Sequence, residues 1–529
     1  MSTDGPAKLK TGATDGRTAS AAAVIDIGTT QIRMAIAQIG SDGEIQILER
    51  LSQAVNLGKD TFSKGVIRKS TIEECVRVLK SYRQLLVEYQ ILQPHQIRVV
   101  ATSAVREALN RLAFIDRVYI ATGIEIELID EAEVNRITYL GIKPFLESEP
   151  ELSSGCTVVI EVGGGNTELL LVEKGDVVFS HTYRLGSLRL REMLQAYNTP
   201  KSQARTILDS QVQRIVDQMV THISQQGGVK LMTLGGDMRF AASCLIADWD
   251  SKHMGHIPTK KLEHFTNHIL SWTEDQLIQK YHLTFPDAET LGPSLLAYLL
   301  LAKALNLDEV LVTNVNLRDG LLKEMVIRDT WSEDFTRQVS RSAIELGRKF
   351  NFDETHARHV AELSVTLFDA LKDEHHLEQQ YRRLLYVAAL LHEIGQYVSS
   401  RSYHKHSMYL IRNSEIFGLS RHQILLVALV ARYHRRSSPR STHEGYLSLD
   451  RDSRVAIAKM AALLRVADAL DRSYSQRVND LRCRREDSRL VISVPRVEDL
   501  SLEQLALKQK GALFEETFGM TVLLRKSRR

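Results

Sequence analysis

At two places in the chain a run of apolar, β-branched residues enters a glycine turn and a second apolar run leaves it. Val158-Val159-Ile160-Glu161-Val162 leads into Gly163-Gly164-Gly165 and exits through Asn166-Thr167-Glu168 into Leu169-Leu170-Leu171-Val172. This pattern predicts strand, tight loop, strand rather than strand into helix. Near the N-terminus, Val24-Ile25-Asp26-Ile27-Gly28-Thr29-Thr30-Gln31-Ile32-Arg33-Met34-Ala35-Ile36 repeats it, again with an acidic residue two positions before a glycine. Either stretch alone reads equally as an ordinary β-hairpin. The two together predict a duplicated α/β unit whose loops face one cleft.

Between and beyond them the periodicity predicts a strand over 45–50 and a helix over 70–89. A strand from Ile97 runs into a helix carrying Arg106, a strand covers 124–129, and a helix runs from Asp130 to Gly141. Pro144 and Pro150 mark 141–154 as a crossing between the two halves. A long amphipathic helix over 201–226 follows, then a strand ending in Gly235-Gly236 at a helix start, an apolar helix over 291–305, a strand over 310–313 and a helix from Leu317. From about residue 335 the periodicity is almost continuously helical, and after about 480 alternating apolar residues at 490–494 and 520–524 predict a small closing unit.

The loops carry the candidate chemistry. Glycines without Cβ let backbone N–H groups approach a phosphate, Asn166 and Thr167 add donors, and Glu161 and Glu168 suit a divalent cation. No Walker lysine follows, which excludes a P-loop. Arg106 is placed to clamp a phosphate, although alone it reads as a solvated helix arginine. In the helical region His356, His392-Glu393 and Asp468 have the residue types of a divalent-metal site, with hydrogen-bonded core histidines as the alternative. Lys405, Arg432, Arg435, Arg436, Arg440 and Arg465 form a candidate basic track for a long polyanion, against solvated arginines on unrelated faces.

Size and charge bound these readings. The 529 residues, 43% of them apolar, suffice for three or four domains, and a net charge of +3 makes any anion-binding surface local. Four cysteines without CxxC spacing indicate neither a disulfide framework nor a structural zinc site and fit a reducing cytoplasm. Residues 1–20 lack the apolar segment of a signal peptide and read as a disordered tail, and no uncharged apolar run reaches membrane-spanning length.

These motifs together resemble the exopolyphosphatase and guanosine pentaphosphate phosphohydrolase (Ppx/GppA) family in its long form, over almost everything after residue 20. Asp26-Ile27-Gly28-Thr29-Thr30 resembles the first phosphate loop, with Thr29-Thr30 where Ser-Asn is usual. Ala101-Thr102-Ser103-Ala104-Val105-Arg106 with Asn110 resembles the segment whose arginine binds phosphate. Gly163-Gly164-Gly165-Asn166-Thr167-Glu168 resembles the second loop, and Leu317-Arg318-Asp319-Gly320-Leu321 a further signature. The resemblance implies duplicated actin-like (ASKHA, ribonuclease H-like) α/β domains at 21–150 and 151–330, an all-α HD-like domain at 335–480 and a small C-terminal α+β domain at 481–529.

It also implies an activity: release of terminal phosphate from inorganic polyphosphate, or of the 5′-phosphate of guanosine pentaphosphate. In that mechanism Gly28, Thr29, Thr30, Arg106, Gly163, Gly164, Gly165, Asn166 and Thr167 hold the phosphate, and Mg²⁺ or Mn²⁺ lies near Asp26, Glu161 and Glu168. Two departures bear on catalysis. Glu161 stands where the metal-binding Asp belongs, and counting back from Tyr139-Leu140-Gly141 puts Val134 at the general-base Glu, leaving Glu133 as the nearby substitute. His392 is followed by Glu393 instead of Asp, so the HD-like domain is read first as polyanion-binding and dimerising, and as a metal site second. The resulting expectation is a cytoplasmic homodimeric enzyme acting on polyphosphate or guanosine tetra- and pentaphosphate, binding neither nucleic acid nor membrane. Its rival is a catalytically weakened protein that senses the same compounds.

Overall fold

A computed structural model describes residues 20–197, 201–223, 228–327, 332–497 and 499–526. Apart from Ser20, the tail expected over 1–20 lies outside the described residues. The first sheet contains β1 (Ser20–Ile27), β2 (Gln31–Ile39), β3 (Ile45–Ala54), β4 (Ile97–Ala101) and β5 (Glu127–Leu128), in the order β3-β2-β1-β4-β5. β1 pairs antiparallel with β2 and parallel with β4. Its run Ala22–Ile27 is buried throughout, as a strand covered on both faces must be, whereas β3 alternates between half-buried and exposed as an edge strand does. The helices Lys69–Glu88 and Arg111–Thr122 close one face of this sheet, packing Leu79, Leu86, Phe114 and Val118 onto Ile25, Ile27 and Met34.

The second sheet contains β6 (Cys156–Val162), β7 (Thr167–Glu173), β8 (Asp176–Tyr183), β9 (Val229–Leu234), β10 (Gly255–Pro258) and β11 (Glu309–Val312). Its order is β10-β11-β9-β6-β7-β8; without the edge strand β10 it repeats the first sheet's connectivity. The predicted duplication is therefore present, and the two halves are actin-like α/β domains. A third, small sheet of β12 (Arg482–Glu486), β13 (Arg489–Val494) and β14 (Thr521–Lys526) lies near the C-terminus with two short helices between its last strands.

By compactness the chain divides into two units. One comprises Met1–Asp130, Ile137–Glu168 and Thr182–Arg328; the other comprises Glu131–Arg136, Leu169–His181 and Asp329–Arg529. Helices dominate the second unit, and Glu354–Ala370, Gln379–Leu391, Arg421–Arg432 and Arg451–Leu470 bury apolar stripes against one another. Among the described residues no helix is long and apolar enough to cross a membrane, and all four cysteines are free thiols.

Two sequence expectations need correction. The helix expected to end at Gly141 runs on through Pro144 to Ser148. A proline removes one helical N–H and crowds the preceding turn; close by, Lys323 Nζ donates to the Gly141 carbonyl at 3.0 Å. The strand expected over 124–129 shrinks to Glu127–Leu128, since only Val100 and Ala101 of β4 pair with it.

Asn110, matched in sequence to a phosphate-binding segment, instead ties down a turn. Its Oδ1 accepts from the Ile67 N–H at 2.9 Å and its Nδ2 donates to the Ile67 carbonyl at 2.8 Å. Asn110→Ala is expected to lower unfolding free energy by about 1–3 kcal/mol in a denaturant titration, because both backbone groups lose their partner.

Candidate active site

The two glycine turns share one construction. In the first, the Gly28 N–H donates to the Gln31 carbonyl at 3.0 Å; in the second, the Gly163 N–H donates to the Asn166 carbonyl at 2.9 Å. Each loop then turns its carbonyls toward the start of a helix. The carbonyls of Thr29 and Thr30 accept from Gly58 and Val55, and that of Gly164 accepts from Leu188 and Arg189, both at 3.1 Å. In a trans peptide the carbonyl and the next N–H point in opposite directions, so this arrangement turns the amides to the other side. Among the described residues, no group accepts from the N–H of Thr29, Thr30, Gly164, Gly165 or Asn166. A set of amides facing one way is an anion cradle.

The loops meet directly. A Cβ on Gly164 would lie 2.9 Å from Thr29 Cγ2, and one on Gly165 would lie 2.6 Å from both Phe62 Cζ and Ser103 Oγ. Only glycine permits that approach. The buried Oδ1 of Asn166 has no hydrogen-bond partner, while Thr167 is used structurally, its hydroxyl donating to the Leu185 carbonyl at 2.5 Å. Arg106 is half-buried and donates to the Ile129 carbonyl at 2.6 Å.

Acidic residues end the parallel strands beside the loops. Asp26, 5% exposed, closes β1 with Oδ2 at 3.5 Å from Arg318 Nη1 and 3.7 Å from Arg33 Nη1. Glu161 closes β6. Burial pushes its carboxyl up, with the Asp26 charge adding to the rise, while Arg239, Arg33 and Arg318 oppose it. Beyond β9, burial raises Asp237 from 3.8 to about 6; the neighbouring Asp287 charge adds to the rise and the Arg239 and Arg33 charges oppose it. The Tyr298 hydroxyl fixes the ends of both strands, donating to the Leu234 carbonyl at 2.6 Å and accepting from the Val162 N–H at 2.8 Å. Carboxylates and guanidiniums at the carboxyl ends of parallel strands are where α/β domains bind ligands.

Sequence reasoning found the loops, Asp26 and Glu161, but not the arginines or Asp237. Arg33, Arg239 and Arg318 sit in unrelated stretches, and the available signal was that Arg33 pairs with Asp26 across the first hairpin. The half-buried Glu168 starts β7. Glu133 and Val134 lie in the helix Glu131–Ser148, within the stretch belonging to the second unit, and Val134 is buried.

In the second unit the basic residues divide. Lys405, Arg436 and Arg440 are exposed, and Arg435 lies 4.9 Å over the Tyr403 ring. Burial and the cations of Arg435, Lys405 and Arg432 hold His404 down at about 4, so these three share one neighbourhood. Arg465 does not contribute an exposed cation: it is 2% exposed, and its guanidinium donates to the carbonyls of Tyr433 and Ser437, both at 2.7 Å.

Residues 35–329 match the Ppx/GppA phosphatase family, and residues 338–511 match domain III of the Ppx/GppA phosphatases. Among solved structures, an exopolyphosphatase from Cytophaga hutchinsonii is 18% identical, covering 58% of this chain and 98% of its own, with a TM-score of 0.53. The Ppx/GppA family member of Aquifex aeolicus is 21% identical, covering 60% of this chain and 100% of its own, with a TM-score of 0.49.

Proposed function

Because the chain belongs to the Ppx/GppA phosphatase family, we propose that its actin-like domains bind the terminal phosphate of inorganic polyphosphate between the two glycine loops and hydrolyse it. The 5′-phosphate of guanosine pentaphosphate is the alternative substrate with the same reacting group. The observation that carries this reading is the close approach of the two loops, Gly164 against Thr29, where among the described residues no group accepts from the amides of Thr29, Thr30, Gly164, Gly165 and Asn166; Arg106 is assigned here as their side-chain clamp. Preorganised donors of this kind stabilise charge as it develops on the transferred phosphoryl group.

Asp26, Glu161 and Glu168 offer the oxygen donors that Mg²⁺ or Mn²⁺ takes, although among the described residues they are not a group whose ligand atoms all lie within 4.8 Å of one another. Bound there, a divalent ion would supply charge neutralisation for the phosphoryl oxygens. The protein's own part is to hold the phosphate on the amides and to orient the attacking water with a carboxylate. Asp237 is the candidate for that proton. A second reading, a sensor with weakened turnover, is favoured by Val134 at the position of the family's base.

Arg106→Ala is expected to weaken polyphosphate binding by about 1–3 kcal/mol, the range for a charged hydrogen-bond partner. Unchanged affinity in a titration with defined-length polyphosphate removes Arg106 from the site.

A pH profile tests that assignment. With its pKa raised to about 6, Asp237 is a carboxylate above that pH and a neutral acid below it. Phosphate release through Asp237 therefore falls roughly tenfold per pH unit below about 6, and Asp237→Asn is slow at every pH. The stability sign is opposite. The penalty for the buried charge is absent below 3.8 and complete above about 6, so the parent loses stability relative to Asp237→Asn as pH rises through that window. A low-pH limb that survives in Asp237→Asn takes the proton away from Asp237.

A further inference from the structure

We propose that the helical unit holds a divalent first-row transition-metal ion between His356, His392, Glu393 and Asp468, separate from the phosphate cleft and independent of the reading given to it. Three helices bring these residues together: Glu354–Ala370 carries His356, Gln379–Leu391 ends at His392-Glu393, and Arg451–Leu470 carries Asp468. Ligand atoms of His356, His392 and Glu393 all lie within 4.8 Å of one another. Asp468 Oδ1 lies 3.9 Å from His356 Nε2 and 4.0 Å from His392 Nε2, and Glu393 Oε2 lies 3.9 Å from His356 Nε2.

The hydrogen bonds behind the histidines orient them. His392 Nδ1 lies 2.6 Å from the Ala389 carbonyl, which can only accept, so Nδ1 carries the proton and Nε2 presents its lone pair. His356 Nδ1 lies 2.8 Å from Asp471 Oδ2, the carboxylate–histidine arrangement that fixes a metal-ligating imidazole from behind. Both Nε2 atoms are buried without a hydrogen-bond partner, in side chains no more than 1% exposed. Two lone pairs and two carboxylates thus face one point, which is unfavourable unless something positive joins them.

Lys510 supplies only part of that charge. Its ammonium bonds Asp468 Oδ2 and leaves Oδ1 toward the histidines. The Tyr474 hydroxyl likewise holds Glu393, at 3.0 and 3.1 Å from its two carboxylate oxygens. For bonds of about 2.0–2.2 Å the 3.9–4.0 Å edges need to contract by roughly half an ångström, and an edge at the 4.8 Å limit by more than an ångström, through side-chain adjustment. Two imidazoles with carboxylates select Mn²⁺, Fe²⁺, Co²⁺, Ni²⁺ or Zn²⁺ over Mg²⁺.

The test uses the full-length chain, stripped with chelator and titrated with Co²⁺ while its visible absorption is followed, with Zn²⁺ by calorimetry and Mg²⁺ as control. The expected result is one equivalent of Co²⁺ or Zn²⁺ per chain that is retained in a large excess of Mg²⁺, the ion proposed for the phosphate cleft. His392→Gln and Asp468→Asn, checked for folding by circular dichroism, are expected to lose the site. Asp471→Asn, which only positions His356, should keep the stoichiometry with affinity about 10–100-fold weaker. The proposal is overturned if the stripped parent binds no stoichiometric transition metal, in which case Lys510 is the site's cation, or if both ligand variants bind like the parent. Phosphate release is not read in this experiment, so the cleft reading can fail without affecting it.

Discussion

The Glu161→Gln protein binds polyphosphate at least as tightly as its parent but releases phosphate ~10²-fold or more slowly, the scale for one group acting in the transition state. The argument rests on the charges around this carboxyl. Arg33, Arg239 and Arg318 favour its ionised form against burial and the Asp26 charge. Removing one negative charge leaves Arg33 and Arg318 facing Asp26 and Arg239 without the Glu161 charge, so the site becomes more attractive to a polyanion. It also removes an oxygen donor from the divalent-ion set, so turnover falls while affinity does not. Initial rates across substrate concentration, with binding measured separately, divide the two effects. An unchanged kcat would place the metal-assisted step elsewhere.

The second large effect comes from a single methyl group. Gly186 precedes the helix Ser187–Ala196 with φ of −132°, a backbone open to any residue, so its identity is a matter of space. A Cβ there would lie 2.6 Å from the Gly164 carbonyl carbon and closer still to the Gly164 carbonyl oxygen and the Gly165 carbonyl carbon. All three atoms are backbone, so no rotamer change relieves the clash. Gly186→Ala must therefore push the second loop away from the first, breaking the Leu188 and Arg189 amide bonds to Gly164 that turn the loop amides outward. Polyphosphate affinity is expected to fall by ~10²-fold, with a melting temperature several degrees lower. Equal affinity in parent and variant would mean that the loop amides do not hold the ligand.

The backbone of this site was legible in the sequence and its charge was not. Asp26 and Glu161 could be found because each lies in a β-branched run that stops at glycine, a local signal. The arginines that tune them come from β2, from the helix Gly236–Leu245 after β9 and from the helix Leu317–Val326, and nothing local distinguishes them from solvated arginines. Gly186 was unremarkable for the same reason, since the atoms that forbid a side chain there lie some twenty residues earlier. Thr167 was read as a phosphate ligand because a hydroxyl side chain suits an anion, yet its bond to the Leu185 carbonyl serves the turn that shapes the loop. Pro144 misled because the helix Glu131–Ser148 tolerates the loss of the one N–H that a proline removes. In the helical unit His356, His392, Glu393 and Asp468 stood out by residue type, while Lys510 and Asp471, which hold two of them in place, did not.

The most direct measurement of the central claim is phosphate release from long-chain polyphosphate with Mg²⁺, run beside polyphosphate binding on the same preparation of the parent protein. The account predicts saturable binding together with release that requires the divalent ion and disappears in Glu161→Gln. Tight binding without release would contradict hydrolysis and leave a polyphosphate sensor. Release that persists in Glu161→Gln would contradict the assignment of the chemistry to these loops.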